Sequence, residues 1–343
     1  MAATDRHGRR DAGQGGRDVV GAGNQAARRT PFVTPARRTQ PRRLGSKPIR
    51  EAQTFGGESL LVRYVNLVKL PHTLFALPFA FVGTIYASRS APVTTRQVVL
   101  IALAFTAARF AAMGFNRIAD RSLDAQNPRT RARELPSGRL TVFQAGVAVL
   151  LAGGIFVLAA GLLNPLCLKL SPVALAWILV YSFTKRFTSW SHLWLGASLA
   201  IAPVGGYLAV TGHWSTPPWT LLVLSAGVLT WVAGFDIFYA LQDERFDREH
   251  GLRSAVVLLG ERNGILLAKT LHGISIACLA TFGFGAALGW PYFAGLGVAS
   301  VILTWEHQLV SPGKLERMDT AFFTMNGIMS VVVLLGMLAD RLI

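Results

Sequence analysis

"LTVFQAGVAVLLAGGIFVLAAGLLNPLCLKLSPVALAWILVYSF", Leu140 to Phe183, carries one charged residue, Lys169, and one strong breaker, Asn164-Pro165. The breaker divides it into two apolar runs, 140–163 and 166–183. Each run is long enough, as a helix, to cross a hydrocarbon core ~30 Å thick. Asn-Pro reads as a tight turn. The stretch therefore predicts two consecutive membrane helices joined by a short turn outside the bilayer.

The rest of the chain repeats this pattern. Of 343 residues, 52% are hydrophobic and 15% charged, against roughly 25% charged in an average soluble domain. A soluble protein of this size would need more polar surface. Nine apolar blocks can be marked off, at 73–88, 97–119, 140–163, 166–183, 192–210, 219–241, 264–288, 291–309 and 320–341. The first is the shortest and contains Pro78. Basic residues gather in alternate loops, leaving Arg89, Arg96, Lys169 and Arg341 on the opposite side. By the positive-inside rule this predicts an all-α polytopic membrane bundle of nine transmembrane helices, with the N-terminus cytoplasmic and the C-terminus outside.

Residues 1–55 differ in kind. They are rich in Arg, Gly, Pro and Gln and poor in apolar side chains, so they cannot bury enough surface to offset the entropy of ordering. We expect a disordered basic tail, with 56–343 forming the transmembrane domain. The tail lacks the apolar core of a secretory signal. Its positive charge suits anionic headgroups on the cytoplasmic face, and no folded module accompanies it to suggest nucleic-acid binding. Cys167 and Cys278 have no partner spacing, and the seven histidines are scattered without a His-x-x-x-His pair. Neither a disulfide nor a cysteine or histidine metal site is indicated.

Charge is concentrated in two places. The first is "NRIADRSLDAQNPRTRARELPSGR", Asn116 to Arg139, where Asn116, Asp120 and Asp124 recur at i, i+4, i+8. That spacing puts them on one helical face. The second is "DIFYALQDERFDREHGLRS", Asp236 to Ser254, where Asp236, Tyr239, Asp243 and Asp247 share a face in the same way. Aligning Asp120 with Asp243 also aligns Asp124 with Asp247, and arginines follow each pair: Arg129 and Arg133, then Arg248 and Arg253. Acids at helix ends are usually just solvated. Two copies on one side of the membrane, each trailed by arginine, point further. Facing carboxylates repel unless a cation lies between them, and Mg²⁺ commonly bridges carboxylates to phosphate oxygens. Arginine forks complement those oxygens. The pattern thus predicts a Mg²⁺-diphosphate site at the bilayer surface. A polyprenyl diphosphate would place its head there and its chain among the helices. Its allylic cation would need a dry, electron-rich pocket, for which Tyr239, Phe235, Phe115 and Trp231 are available.

At these residues the chain resembles the UbiA family of intramembrane aromatic prenyltransferases, and within it the 4-hydroxybenzoate polyprenyltransferase branch. The first motif reads Asn116-Arg117-x-x-Asp120-x-x-x-Asp124-x-x-Asn127-Pro128-Arg129-Thr130. The second reads Asp236-x-x-Tyr239-Ala240-x-x-Asp243-x-x-x-Asp247-Arg248. In "YSFTKRFT", Tyr181 and Lys185 match a family tyrosine and lysine. The resemblance implies a nine-helix bundle with a central cavity and a bacterial-type inner-membrane location, the active site facing the cytoplasm. It implies that Asp120, Asp124, Asp243 and Asp247, with Asn116 and Asp236, hold Mg²⁺ and the diphosphate. Arg129, Arg133, Lys185 and Arg248 would meet phosphate, Tyr239 would flank the cation, and the prenyl chain would pass to a ring carbon of an aromatic hydroxy acid. No protein partner is indicated. Arg109, seven positions before Asn116, matches a position implicated in holding the acceptor's carboxylate. Without the resemblance, a charge inside a span can also be a buried ion pair or a side chain that snorkels to the surface, and Glu306 is the acid that could approach it. "HTLFALPFAFVG" (His72–Gly83) and Gln242 look more like a branch that uses a dihydroxynaphthoate in menaquinone synthesis. Haem, chlorophyllide and phospholipid-precursor acceptors occur in related enzymes. A secondary transporter would want ionisable residues near the midplane. Here they gather at one membrane face.

Overall fold

The computed structural model describes residues 55–57, 59–69, 76–309 and 318–343, within a compact unit spanning Ser46–Ile343. The expected basic tail, up to residue 54, lies outside the described residues, as do residues 72–75 of the His72–Gly83 motif. Every regular element described is a helix. Nine have eleven or more residues: α2 (Leu77–Ala87), α3 (Thr95–Ala119), α5 (Val142–Leu163), α6 (Pro165–Phe187), α7 (Ser191–Thr211), α8 (Pro218–Glu249), α10 (Glu261–Gly285), α11 (Trp290–Leu309) and α12 (Met318–Leu342). Three short ones, α1 (Leu60–Leu67), α4 (Arg121–Gln126) and α9 (Ala255–Leu259), were not expected from the sequence. Among the described residues, seven helices are long and apolar enough to cross a membrane by themselves.

Helix ends follow local chemistry. α3 and α5 both start in capping boxes, Thr94 with Gln97 and Thr141 with Gln144, which satisfy orphan N–H groups reciprocally. The Asn164-Pro165 turn works as its sequence suggests. The Asn164 side chain accepts from Cys167 N and caps α6, while its Nδ2 donates to the Leu208 carbonyl of α7 at 2.9 Å. One polar side chain thereby starts one helix and fixes its neighbour.

The long helices pack in a closed circuit in chain order, with α12 returning against α2. The solid half of the bundle is centred on α8, whose Trp231, Val232, Ala233 and Phe238 are completely buried. Glycines let α2 and α7 touch backbone to backbone: a Cβ on Gly206 would lie 2.0 Å from the Ala80 carbonyl, and one on Gly83 would lie 1.9 Å from the Pro203 carbonyl. Close approach of this kind is how helices associate where lipid removes the hydrophobic drive. The outer face stays apolar, with Phe143, Leu150, Leu158 and Val173 each more than 60% exposed.

Two boundaries differ from expectation in ways that shape the site. The sixth block ends at 241 by hydropathy, but α8 runs unbroken to Glu249. Its 32 residues make a rod about 48 Å long, beyond any bilayer core. The first acidic motif, conversely, is not one continuous helix. α3 stops at Ala119, Asp120 sits at its C-terminal cap with φ −99° and ψ 8°, and α4 begins at Arg121. The ladder still carries across, since Asp120 N donates to Asn116 O and Asp124 N to Asp120 O. The acids therefore keep nearly helical spacing through the bend.

Candidate active site

At one end of the bundle, α3, α6 and α8 surround a cavity of about 290 Å³. The α3–α4 bend supplies Asp120 and Asp124, and the following loop supplies Asn127, Arg129 and Arg133. From the last turns of α6 come Tyr181 and Lys185. The extension of α8 contributes Asp236, Tyr239, Asp243 and Asp247. The two Asp-x-x-x-Asp segments, far apart in sequence, thus form opposite walls of one space.

Each acid has a specific partner. Arg129 grips Asp243 with both ends of its fork, Nε to Oδ1 at 3.0 Å and Nη2 to Oδ2 at 2.5 Å. Asn127 Nδ2 adds a third bond to Asp243 at 3.2 Å. Arg133 meets Asp124 at 2.6 Å, Lys185 meets Asp247 at 3.0 Å, and Arg186 meets Asp120 at 3.2 Å. Asn116 Nδ2 also donates to Asp120 Oδ2 at 2.9 Å. Burial pushes the Asp120 carboxyl above the usual carboxylate range, against the pull of the Arg186 hydrogen bond and with a smaller push from Asp124. Asp236 differs: its partner is the ring of His192, Nδ1 to Oδ2 at 2.7 Å.

All the sequence-expected site residues except Arg248 line this cavity. Arg248 lies outside it, in a largely exposed i,i+4 pair with Glu244 at 2.8 Å. The helical phase explains this: Arg248 follows Asp247 by one residue and points ~100° away. Of the aromatics, Tyr239 and Phe235 line the cavity. Trp231 is instead buried in the core, donating to Asn326 at 2.9 Å, and Phe115 packs edge-on to Phe183. The acid weighed as a partner for Arg109 is committed elsewhere, since Glu306 accepts from Asn326 Nδ2 at 3.0 Å. Arg109 faces the cavity with its Nε buried and without a hydrogen-bond partner. Arg186, Lys69 and His192 also line the space and were not singled out in the sequence. Arg186 follows the matched Lys185 and could have been suspected; a histidine at the start of an apolar run gives no signal.

No three His, Cys, Asp or Glu residues among the described residues are gathered tightly enough to hold a metal ion. The donor set nevertheless suits a hard cation. It consists of carboxylate and amide oxygens on two walls, and Asp124 Oδ2 is buried with no hydrogen-bond partner. An orphaned carboxylate oxygen is costly unless something positive meets it, and oxygen ligands of this type suit Mg²⁺.

Beneath the charged cavity lies a second, strongly apolar chamber of about 240 Å³ between α2, α3, α5, α6 and α7. The two share Arg109, Met113, Asn116, Tyr181, Leu195 and Leu199. A charged mouth therefore opens onto a greasy interior, with Arg109 at the boundary. Such a space accepts a molecule with an anionic head and an apolar tail.

Comparisons with known proteins point to one family. The model of the UbiA prenyltransferase family matches residues 76–328. A 4-hydroxybenzoate octaprenyltransferase from Alcanivorax borkumensis is 32% identical over 253 residues, covering 72% of this chain and 84% of that protein. One from Alkalilimnicola ehrlichii is 28% identical over 284 residues, covering 81% and 94%. Among solved structures, the apo form of a UbiA homolog from Aeropyrum pernix K1 superposes with a TM-score of 0.72 at 31% identity, covering 79% of this chain and 98% of that one. A UbiA homolog from Archaeoglobus fulgidus bound to GPP and Mg²⁺ shares the fold, with a TM-score of 0.62 at 19% identity, covering 82% and 100%.

Proposed function

The chain belongs to the UbiA prenyltransferase family, and from that premise we propose that it transfers a polyprenyl chain from polyprenyl diphosphate to a ring carbon of a 4-hydroxybenzoate-type acid in respiratory quinone synthesis, releasing diphosphate. The observation that carries this reading is the junction of two spaces: paired acids and arginines at the mouth, an apolar chamber beneath, and a cavity-facing arginine between them. Relatives named for 4-hydroxybenzoate octaprenyl transfer point to the same reaction.

Each residue group has a physical task. Arg129, Arg133 and Lys185 hold the diphosphate oxygens, exchanging their carboxylate partners for phosphate ones. Asp120, Asp124, Asp243 and Asp247, with Asn116, would hold Mg²⁺; Asp236, expected in the same set, is instead paired with His192 and is kept apart from the metal in this reading. When bound, the ion neutralises charge developing on the departing diphosphate. A relative of the same fold, described with GPP and Mg²⁺, supports this metal. The aromatic faces of Tyr239 and Phe235 stabilise positive charge on the allylic carbon. The apolar chamber takes the chain and keeps water from the cation. Arg109 holds the acceptor carboxylate at the boundary.

The basic-residue pattern supports nine crossings with the N-terminus in the cytoplasm, adding α2 and α11 to the seven helices that qualify alone. The cavity then opens toward the cytoplasm. Bacterial relatives support an inner-membrane location. The test is to incubate membranes containing the protein with labelled polyprenyl diphosphate, Mg²⁺ and a panel of aromatic acids that includes a dihydroxynaphthoate, and to read product mass. A prenylated hydroxybenzoate is expected. Failure to prenylate any hydroxyaryl carboxylate would refute the reading.

A further inference from the structure

The five cavity acids divide unequally. Four face an arginine or lysine, whereas Asp236 faces His192. That histidine is the second residue of α7, only 1% exposed. Both of its ring nitrogens are engaged. Nδ1 lies 2.7 Å from Asp236 Oδ2, and Nε2 accepts from the backbone N–H of Ala255 at 3.3 Å. A backbone N–H can only donate, so Nε2 is the acceptor nitrogen and the ring proton sits on Nδ1. His192 therefore meets Asp236 as a neutral donor, and the charge of Asp236 is oriented without being cancelled.

Position adds the second half. Asp236 lies seven residues before Asp243 on the same helix, about 10 Å nearer the bundle interior. It is one turn from Tyr239 and lines the same cavity as Arg109. Its second oxygen, Oδ1, makes no hydrogen bond to any described residue. The deep end of the cavity thus offers a fixed cation, Arg109, and a fixed anion, Asp236. A hydroxyaryl carboxylate presents the complementary pair, an anionic group and a hydroxyl donor.

We propose that His192 is a positioning residue for the aromatic acceptor: it holds Asp236 so that Oδ1 receives the hydrogen bond of the acceptor's ring hydroxyl. This rests on the aromatic-acceptor reading above. A hydroxyl donating to an anion pushes electron density into the ring, raising the nucleophilicity of the carbon beside it. The same contact distinguishes a hydroxylated acid from the bare one, because a site built to receive a hydroxyl discriminates by that group. The tie to Ala255, the first residue of α9, adds a fixed third point, so the ring cannot swing away from Asp236 unless the start of α9 moves.

The test uses the full chain in membranes, with His192→Leu, His192→Asn, Asp236→Asn and the double variant His192→Leu/Asp236→Asn. His192→Asn keeps an N–H where Nδ1 stood; His192→Leu keeps none. For each, KM and kcat are measured for the hydroxylated acid and for the prenyl diphosphate, together with the inhibition constant of the matching acid that lacks the hydroxyl. Losing a charge-assisted contact is expected to weaken binding of the hydroxylated acid about 10-fold or more in His192→Leu. The deoxy acid and the prenyl diphosphate should bind as before. His192→Asn should recover most of the loss, and His192→Leu should cost nothing further once Asp236 is Asn. Equal weakening of the deoxy acid, an Asn variant no better than Leu, or additive losses in the double variant would each overturn the proposal. The wild-type chain tests the underlying reading separately. If its acceptor proves to be another hydroxyaryl compound, the same comparison is made with that compound and its deoxy form.

Discussion

Removing Arg109 should separate the two substrates kinetically. Its guanidinium stands where the charged cavity meets the apolar chamber, with Nε buried and without a hydrogen-bond partner, and it forms no ion pair among the described residues. A cation left so in a membrane bundle is costly unless a ligand completes it. A carboxylate bound by the fork makes charge-assisted hydrogen bonds worth about 1.5–3 kcal/mol, which at 1.4 kcal/mol per decade is about 10- to 100-fold in affinity. Arg109 also lies eleven residues before Asp120, the first acid of its own motif, about 16 Å along the helical run and so beyond direct contact with a diphosphate that Asp120 and Asp124 hold. Arg109→Ala should therefore raise KM for the aromatic acid by that factor and leave KM for the prenyl diphosphate within about twofold. Arg109→Lys, which keeps charge but loses the planar fork, should fall between. Steady-state rates with each substrate varied in turn give both constants. Equal losses for the two substrates would move Arg109 to the phosphate end or to a structural role. An unchanged acceptor KM would remove it from the site.

Asp120→Ala and Asp243→Ala should each lower turnover at least ~10³-fold, as should chelation of Mg²⁺, because metal-assisted departure of diphosphate contributes several kcal/mol; near-normal turnover in either variant would break the two-wall arrangement. A chain beginning at Ser59 should keep its turnover number, measured per folded enzyme in detergent, since the expected disordered tail carries no motif residue. Gly206→Ala should lower the thermal midpoint sharply or prevent folding, because its Cβ would meet the Ala80 carbonyl at 2.0 Å; a midpoint within a few degrees of wild type would show that α2 and α7 can part at little cost.

Much of the site can be read in the sequence, because covalent spacing does the arranging. Asp236, Tyr239, Asp243 and Asp247 reach the cavity together because one helix carries them at near-helical intervals. The pairing of those acids was not legible. Arg129 with Asp243 and Lys185 with Asp247 are contacts between elements more than sixty residues apart, set by packing that no local pattern encodes. Arg248 shows the opposite failure: it belongs to the motif by proximity, yet helical phase turns it to solvent beside Glu244. His192 gave no signal, since its place in the site comes from two partners, one on α8 and one at the first residue of α9. Hydropathy misjudged the end of α8 because it records the solvent a segment meets, whereas helix length depends on the backbone and its side-chain contacts.

The unbroken course of α8 makes it a ruler. Asp247 and Asp236 are eleven residues apart on one rod, so about 16 Å separates the mouth from the floor, and no hinge lies between them to change it. On the proposed reading, the donor's head and the acceptor's ring are registered against a single scale, and the site cannot be retuned by sliding one end past the other. A one-residue deletion between Asp236 and Asp243 would turn one set of acids ~100° from the other. The apolar chamber lies off this scale, bounded by α2, α3, α5, α6 and α7. Its walls are free to change shape without disturbing the spacing along α8, so on the same reading the length of prenyl chain accepted and the choice of aromatic acid can vary independently.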